Sequence, residues 1–289
     1  MSEDAKWPRA ATLIGKGHSE VGLLDIPAHR TSISQTNAHL TPAAIREALQ
    51  RYSTMSYSAD LDLGEITIQD LGAINDPDQN EDNTISAIKT AEKDLLIALG
   101  GDNSITYATA LGVFGDDLAS AGLITLDAHH DLRDGISNGS PVRRLIDQGL
   151  DPKRIVQIGI NDFSNSAQYA KLAKDLGITV ISREMVAEIG IKESCQIALR
   201  VAGNAGGPIH VDLDVDVCDR SVVPACPAAA PGGLSAYELR QAARILTNHS
   251  QVLGVDITEI DASKDSDDQR TVRLAALLVL EAVAGYHSR

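Results

Sequence analysis

The chain has 289 residues, with 25 Lys and Arg against 40 Asp and Glu, a formal net charge of −15 and few aromatics. This length buries one large core or two smaller ones, and a 43% hydrophobic fraction argues against disorder. The acidic balance argues against nucleic-acid or anionic-membrane partners, which rely on clustered Lys and Arg.

No apolar run approaches the roughly 18 residues of a membrane-spanning helix. The opening MSEDAKWPRA lacks the basic and apolar blocks of a signal peptide. Cys195, Cys218 and Cys226 cannot all pair within one chain. Together these point to a cytoplasmic protein.

In chain order, Thr41-Pro42 reads as an N-cap followed by Pro at the first helical position, opening a helix over Pro42–Arg51. The polar stretch Asn75–Asn83 reads as a loop before a helix at Thr84–Lys93. Short Ile, Val and Leu runs then predict buried strands at Leu95–Leu99, Leu123–Leu126 and Ile155–Ile160. A helix over Ser166–Leu176, a strand at Ile178–Ile181 and a helix over Gly190–Ala202 follow, the last ended by Gly203–Gly207. A strand at Ile209–Leu213 precedes a helix over Ser235–Leu246, where Ser235 and Glu238 have capping-box spacing. A strand at Val252–Ile257 leads into a loop over Asp261–Arg270. Alternating strands and helices without a linker predict a single α/β domain over residues 1–289 with a mainly parallel sheet.

Ligands of such sheets sit beyond the strand ends. Four predicted strands end in polar clusters: Gly100-Gly101-Asp102-Asn103-Ser104, Asp127-Ala128-His129-His130-Asp131, Asp212-Leu213-Asp214-Val215-Asp216, and Asp256 followed by Glu259 and Asp261. On extended backbone Asp127, His129 and Asp131 share a face, as do Asp214 and Asp216. One such cluster alone reads equally as a solvated loop or a set of helix N-caps. Two together suit divalent ions such as Mn2+, since converging carboxylates repel unless a cation sits among them.

The blocks Gly-Gly-Asp-Asn-Ser, Asp-Ala-His-His-Asp and Asp-Val-Asp-Val-Cys-Asp resemble the signature blocks of the ureohydrolases, the arginase, agmatinase and formimidoylglutamase family. The segment from Ile26-Pro27 to Ile45-Arg46 is similar to that family's N-terminal block, and Thr258-Glu259-Ile260-Asp261 to its last. The resemblance implies a three-layer α/β/α sandwich and a binuclear manganese centre, two Mn2+ per subunit. Asp127 and Asp214 would bridge the ions, Asp131 would complete one site, and His129 and Asp216 the other. Asp212 stands where the family usually has Ser, so it is read as a supporting group. Glu259 matches the carboxylate that binds an amidine or guanidine. The resemblance also implies a homo-oligomer, trimer or hexamer.

Two departures stand out. Asn103 replaces a metal-ligating His, and its amide oxygen is a poorer donor to Mn2+. Asn138 replaces the His that arginases use as a proton shuttle, and it carries no proton near pH 7. Both, with the doubled His129-His130, Phe163-Ser164-Asn165-Ser166 and Pro224-Ala225-Cys226-Pro227, resemble bacterial formimidoylglutamases, although that subgroup tends to have Arg where this chain has Asn161. The implied reaction is hydrolysis of N-formimidoyl-L-glutamate to L-glutamate and formamide, in histidine degradation, by a metal-bridging hydroxide. Asp131 would pass the proton and Glu259 would hold the amidinium. A small-molecule dianion needs cations, so Arg133, Arg143 and Arg144 are candidate carboxylate forks; surface charge is the other reading of each. Asn138, Asn165 and Ser166 are candidate neutral donors. Two alternatives stay open: another amidine or guanidine hydrolase (agmatinase, arginase or guanidinobutyrase), and a metal-poor, non-catalytic binding homologue.

Overall fold

The computed structural model describes Asp4 and residues 6–289. The segment read for a leader includes residues 1–3 and 5, which lie outside the described residues. The strands are β1 (Ile14–Gly15), β2 (Val21–Ile26), β3 (Met55–Ser56), β4 (Leu61–Asp62), β5 (Ile68–Ala73), β6 (Leu95–Gly100), β7 (Gly122–Leu126), β8 (Ile155–Ile160), β9 (Thr179–Ser182), β10 (Ile209–Asp214) and β11 (Val252–Thr258). The helices are α1 (Thr41–Ala48), α2 (Glu81–Thr90), α3 (Ile105–Phe114), α4 (Pro141–Gln148), α5 (Ala167–Leu176), α6 (Arg183–Ile189), α7 (Ile191–Ala202), α8 (Ala236–Thr247) and α9 (Arg270–Tyr286).

Nine strands form one sheet in the order β1-β5-β2-β6-β11-β10-β7-β8-β9, and every pairing in it is parallel. β3 and β4 pair apart from it, antiparallel. Helices cover both faces, giving the expected three layers. The alternation of each strand decides which layer its side chains enter. In β6, Leu95, Ile97 and Leu99 join the core under α1 and α7–α9, while Leu96 and Ala98 face α2 and α3. In β10, Ile209, Val211 and Leu213 fill the first core, so His210, Asp212 and Asp214 take the opposite face, where His210 meets the Phe114 ring of α3 edge-on.

Several expectations shift. Thr41 is the first residue of α1 and makes no side-chain cap; its hydroxyl donates to the Ile260 carbonyl instead, tying the N-terminal segment to the loop after β11. The Ser235–Glu238 capping box is present. The sequence reading passed over β2 and β5. It also passed over α9, whose surface is buried nearly all round and so shows no polar stripe to mark a helical period. The helix read as beginning at Thr84 starts at Glu81, inside the stretch read as loop.

Candidate active site

β6, β11, β10 and β7 are neighbours in the middle of the sheet, so their C-terminal ends meet. The chain leaves β6 for α3 and β7, while β10 and β11 insert between β6 and β7; this break in strand order is where open α/β sheets form a crevice. The four polar clusters converge there beside a cavity of about 360 Å3 lined by His129, Asp131, Arg133, Asn138, Asp214, Asp216 and Glu259, among others.

The base is acidic and held by backbone amides. Asp127 is fully buried; its Oδ1 accepts from the His129 amide at 2.6 Å, and its Oδ2 has no partner. Asp214 accepts from the Asp216 amide at 2.8 Å, and Asp216 from the Ala128 amide at 3.0 Å, so each turn is stapled by the acid it presents. His129 Nδ1 lies 2.7 Å from Asp216 Oδ2 and 3.4 Å from Asp127 Oδ1. Asp127, His129 and Asp216 bring one ligand atom each within 4.8 Å of one another.

Burial, and then the neighbouring acids, push the Asp127 and Asp214 carboxyls well above their ordinary range. Burial alone would lower His129, but Asp216, Asp131 and Asp214 outweigh it and hold its imidazole at about 10. The nest therefore takes up a proton wherever it lacks other positive charge. A divalent cation satisfies the same demand, and the unpartnered Asp127 Oδ2 offers it an oxygen, so these residues fit a metal ion of the hard to borderline kind that Mn2+ represents.

Two site residues sit in left-handed backbone: Asp131 at φ 52° and Glu259 at φ 64°. Non-glycine residues there cost of order 1–3 kcal/mol and persist where the surroundings hold them. For Glu259 the hold is visible: its Oε1 accepts from the Asn103 amide at 2.8 Å and from Asn138 Nδ2 at 2.7 Å, and its own amide donates to Gly101 O. Its Oε2 accepts nothing from the described residues. Burial, then Asp102, raises the Glu259 carboxyl to about 8. Gly101 is required there, because a Cβ would come within 1.9 Å of the Ala28 carbonyl oxygen.

Asn103 corrects one expectation. Its Nδ2 donates to Asp131 Oδ2 at 2.6 Å, and its Oδ1 accepts from the Thr106 and Thr258 hydroxyls at 2.8 and 3.0 Å. With the oxygen turned away, Asn103 orients Asp131 and does not present a ligand. Asp131 itself is raised to about 7, first by burial.

The arginines separate. Arg133 lines the cavity and makes no ion pair or side-chain hydrogen bond among the described residues. Arg143 is drawn to Asp134 and Asp147, and Arg144 forks onto Glu81 at 2.7 Å from both terminal nitrogens while stacking on Tyr107. Neither lines the cavity, because α4 turns them outward from it.

Asn165 is beside the cavity, but both amide atoms are taken: Oδ1 by the His130 amide and Nδ2 by Ala128 O. It shapes the 128–130 turn. Ser166, offered as another neutral donor, lines the cavity and caps α5 through the Tyr169 amide. Asn161 bonds back to Ala128 O through its amide. His130 Nδ1 meets Gln157 Oε1, and His210 meets Asp256. Asp212 is buried in register beside Asp256, behind the acids of the nest. Cys218 and Cys226 are buried, and burial raises both thiols, so neither is a nucleophile.

Sequence reasoning missed Ile33 and Ser34, which line the cavity. The Ile33 amide donates to Asn138 Oδ1, a contact across 105 positions that no local pattern signals.

A parallel α/β sandwich with a buried Asp/His nest beyond adjacent strand ends is the architecture of a metal-dependent hydrolase. The Arginase family model matches residues 19–285, and the chain belongs to the arginase family. It is 34% identical over 284 residues to a formimidoylglutamase of Halalkalibacterium halodurans, covering 94% of this chain and 88% of that one. The crystal structure of formimidoylglutamase from Bacillus subtilis superposes with a TM-score of 0.92 at 30% identity, covering 99% and 94% of the two chains. A Trypanosoma cruzi formiminoglutamase with Mn2+ shares the fold, at TM-score 0.90, 21% identity and coverage of 98% and 99%. The chain is thus a formimidoylglutamase-like hydrolase acting on C–N bonds. No helix among the described residues is long and apolar enough to cross a membrane.

Proposed function

We propose that this protein hydrolyses N-formimidoyl-L-glutamate to L-glutamate and formamide with two Mn2+ ions, in histidine degradation. The observation that carries this reading is the pairing of two groups on one cavity: the buried Glu259 carboxyl beside the acid nest, which an amidinium would ionise, and the exposed Arg133 guanidinium with no ion pair among the described residues. That pairing complements a molecule with an amidinium at one end and a carboxylate at the other.

Asp127, His129, Asp131, Asp214 and Asp216 would hold the ions. When bound, the ions supply water acidified enough to attack a carbon at neutral pH. Glu259 Oε2 pairs with the amidinium, while Asn103 and Asn138 keep Oε1 from rotating away. This fixes the planar amidine carbon above the acid nest. Asp131, beside the other acids of the nest, passes a proton to the leaving nitrogen of glutamate.

The nine-stranded sheet supports reading residues 1–289 as one hydrolase domain. Three free, buried cysteines support a cytoplasmic setting. The homo-oligomer, trimer or hexamer, rests on the family resemblance.

A substrate panel tests the reading on Mn-loaded protein, with formamide, ammonia and urea measured separately. Formamide from N-formimidoyl-L-glutamate is expected. Urea from arginine or agmatine in its place would overturn it, and agmatine also lacks the anion that Arg133 would meet. Failure to take up Mn2+ would favour a non-catalytic binding homologue.

A further inference from the structure

Arg133 is an exposed, flexible side chain, yet it lies along the cavity with no acid to hold it there. What seats it is the loop that closes on itself between residues 133 and 139: the Arg133 amide donates to the Gly139 carbonyl at 3.0 Å. The Arg133 side chain then runs across the bare α-carbon of Gly139. A Cβ at residue 139 would fall 2.8 Å from Arg133 Cδ, 3.2 Å from its Nε and 3.2 Å from Ile33 Cδ1. The first distance is shorter than real Cβ atoms show, so the Arg133 side chain would have to leave its place over residue 139. Gly139 is not among the residues of positive φ. Its missing side chain therefore serves space and not backbone conformation.

We propose that Gly139 is a specificity-determining positioning residue, whose empty side-chain volume seats Arg133 to receive the carboxylate of an anionic ligand at the cavity mouth. This rests on the reading of Arg133 under Proposed function and adds the residue that makes it possible. The other two candidate arginines are committed to Asp134, Asp147 and Glu81 and cannot substitute.

The test is calorimetric binding of L-glutamate to the Mn-loaded holoprotein, comparing wild type, Gly139→Ala, Arg133→Ala and the double variant. Losing a charge-assisted hydrogen bond weakens binding about tenfold or more. Each single variant is expected to show that loss, and the double variant to bind no more weakly than Arg133→Ala alone, because both changes remove one interaction. A Gly139→Ala protein that binds like wild type overturns the proposal. So does a double variant whose losses add, which would mark Gly139 as a packing residue independent of Arg133. So does a wild type with no measurable affinity for L-glutamate. Binding is read without turnover, so failure of the formimidoylglutamate activity leaves this measurement decisive by itself.

Discussion

The base and the mouth of the cavity are built on opposite principles. At the base, Asp127, Asp214 and Glu259 issue directly from the ends of β7, β10 and β11, are buried, and are fixed by backbone amides. At the mouth, Arg133, Asn138, Ile33 and Ser34 come from loops and are partly or fully exposed. The base carries negative charge in excess, whereas the mouth carries one free guanidinium among the described residues. Rigid acids suit the holding of metal ions and a proton; a loop-borne cation suits the choice of substrate tail.

The sharpest way to break this division is at the base. Asp127→Ala is expected to lower formimidoylglutamate turnover at least about a thousandfold and to reduce bound Mn2+, read by metal analysis of the purified variant. Turnover near that of wild type would remove Asp127 from the metal nest.

Next in size, Glu259→Gln keeps the shape but deletes the charge facing the amidinium. A loss in kcat/KM of about a hundredfold is expected, with metal content unchanged. Asn138→Ala removes one of two restraints on Glu259 and should cost about tenfold in kcat/KM, most of it in kcat if orientation is what Asn138 provides.

The charge imbalance at the base also sets a pH dependence. Asp131 is raised from 3.8 to about 7 and Glu259 from 4.5 to about 8, so each binds its proton more tightly folded than unfolded. Their contribution to stability is complete below the unfolded values and is lost as pH rises through the folded ones. His129, raised from 6.5 to about 10, has the same sign, its contribution lost as pH climbs through that value. Metal-free protein should therefore melt several degrees lower at about pH 9 than at about pH 5, and Mn2+ should narrow the gap. A melting temperature that rises with pH in chelator would contradict the repulsion at the base.

The smallest effect sharpens the boundary of the mouth. Arg144→Ala should leave KM within about twofold, while stability falls by about 1 kcal/mol through the lost Glu81 fork and Tyr107 stacking. A large rise in KM would return Arg144 to the substrate.

The base was legible in the sequence because strand geometry is local. Apolar strand runs place Asp127 and Asp214 at strand ends before any tertiary contact is known, while a turn after β7 and a short 3-10 turn after β10, not strand alternation, bring His129 and Asp216 beside them. The mouth was not legible in the same way. Arg133, Arg143 and Arg144 look alike as neighbours in sequence, and only the turn into α4 sends two of them to Asp134, Asp147 and Glu81. Asn103 carried a similar ambiguity, since an amide offers a donor and an acceptor, and the hydroxyls of Thr106 and Thr258 decide which faces Asp131.

By itself the sequence determined the parallel α/β class and four polar strand ends, because these follow from short-range periodicity and covalent spacing. The tertiary structure decided which strand ends adjoin, which way Asn103 turns, and which arginine stays unpaired. Those depend on contacts between side chains from different elements, such as Arg144 with Glu81, Ile33 with Asn138 and Asn103 with Glu259.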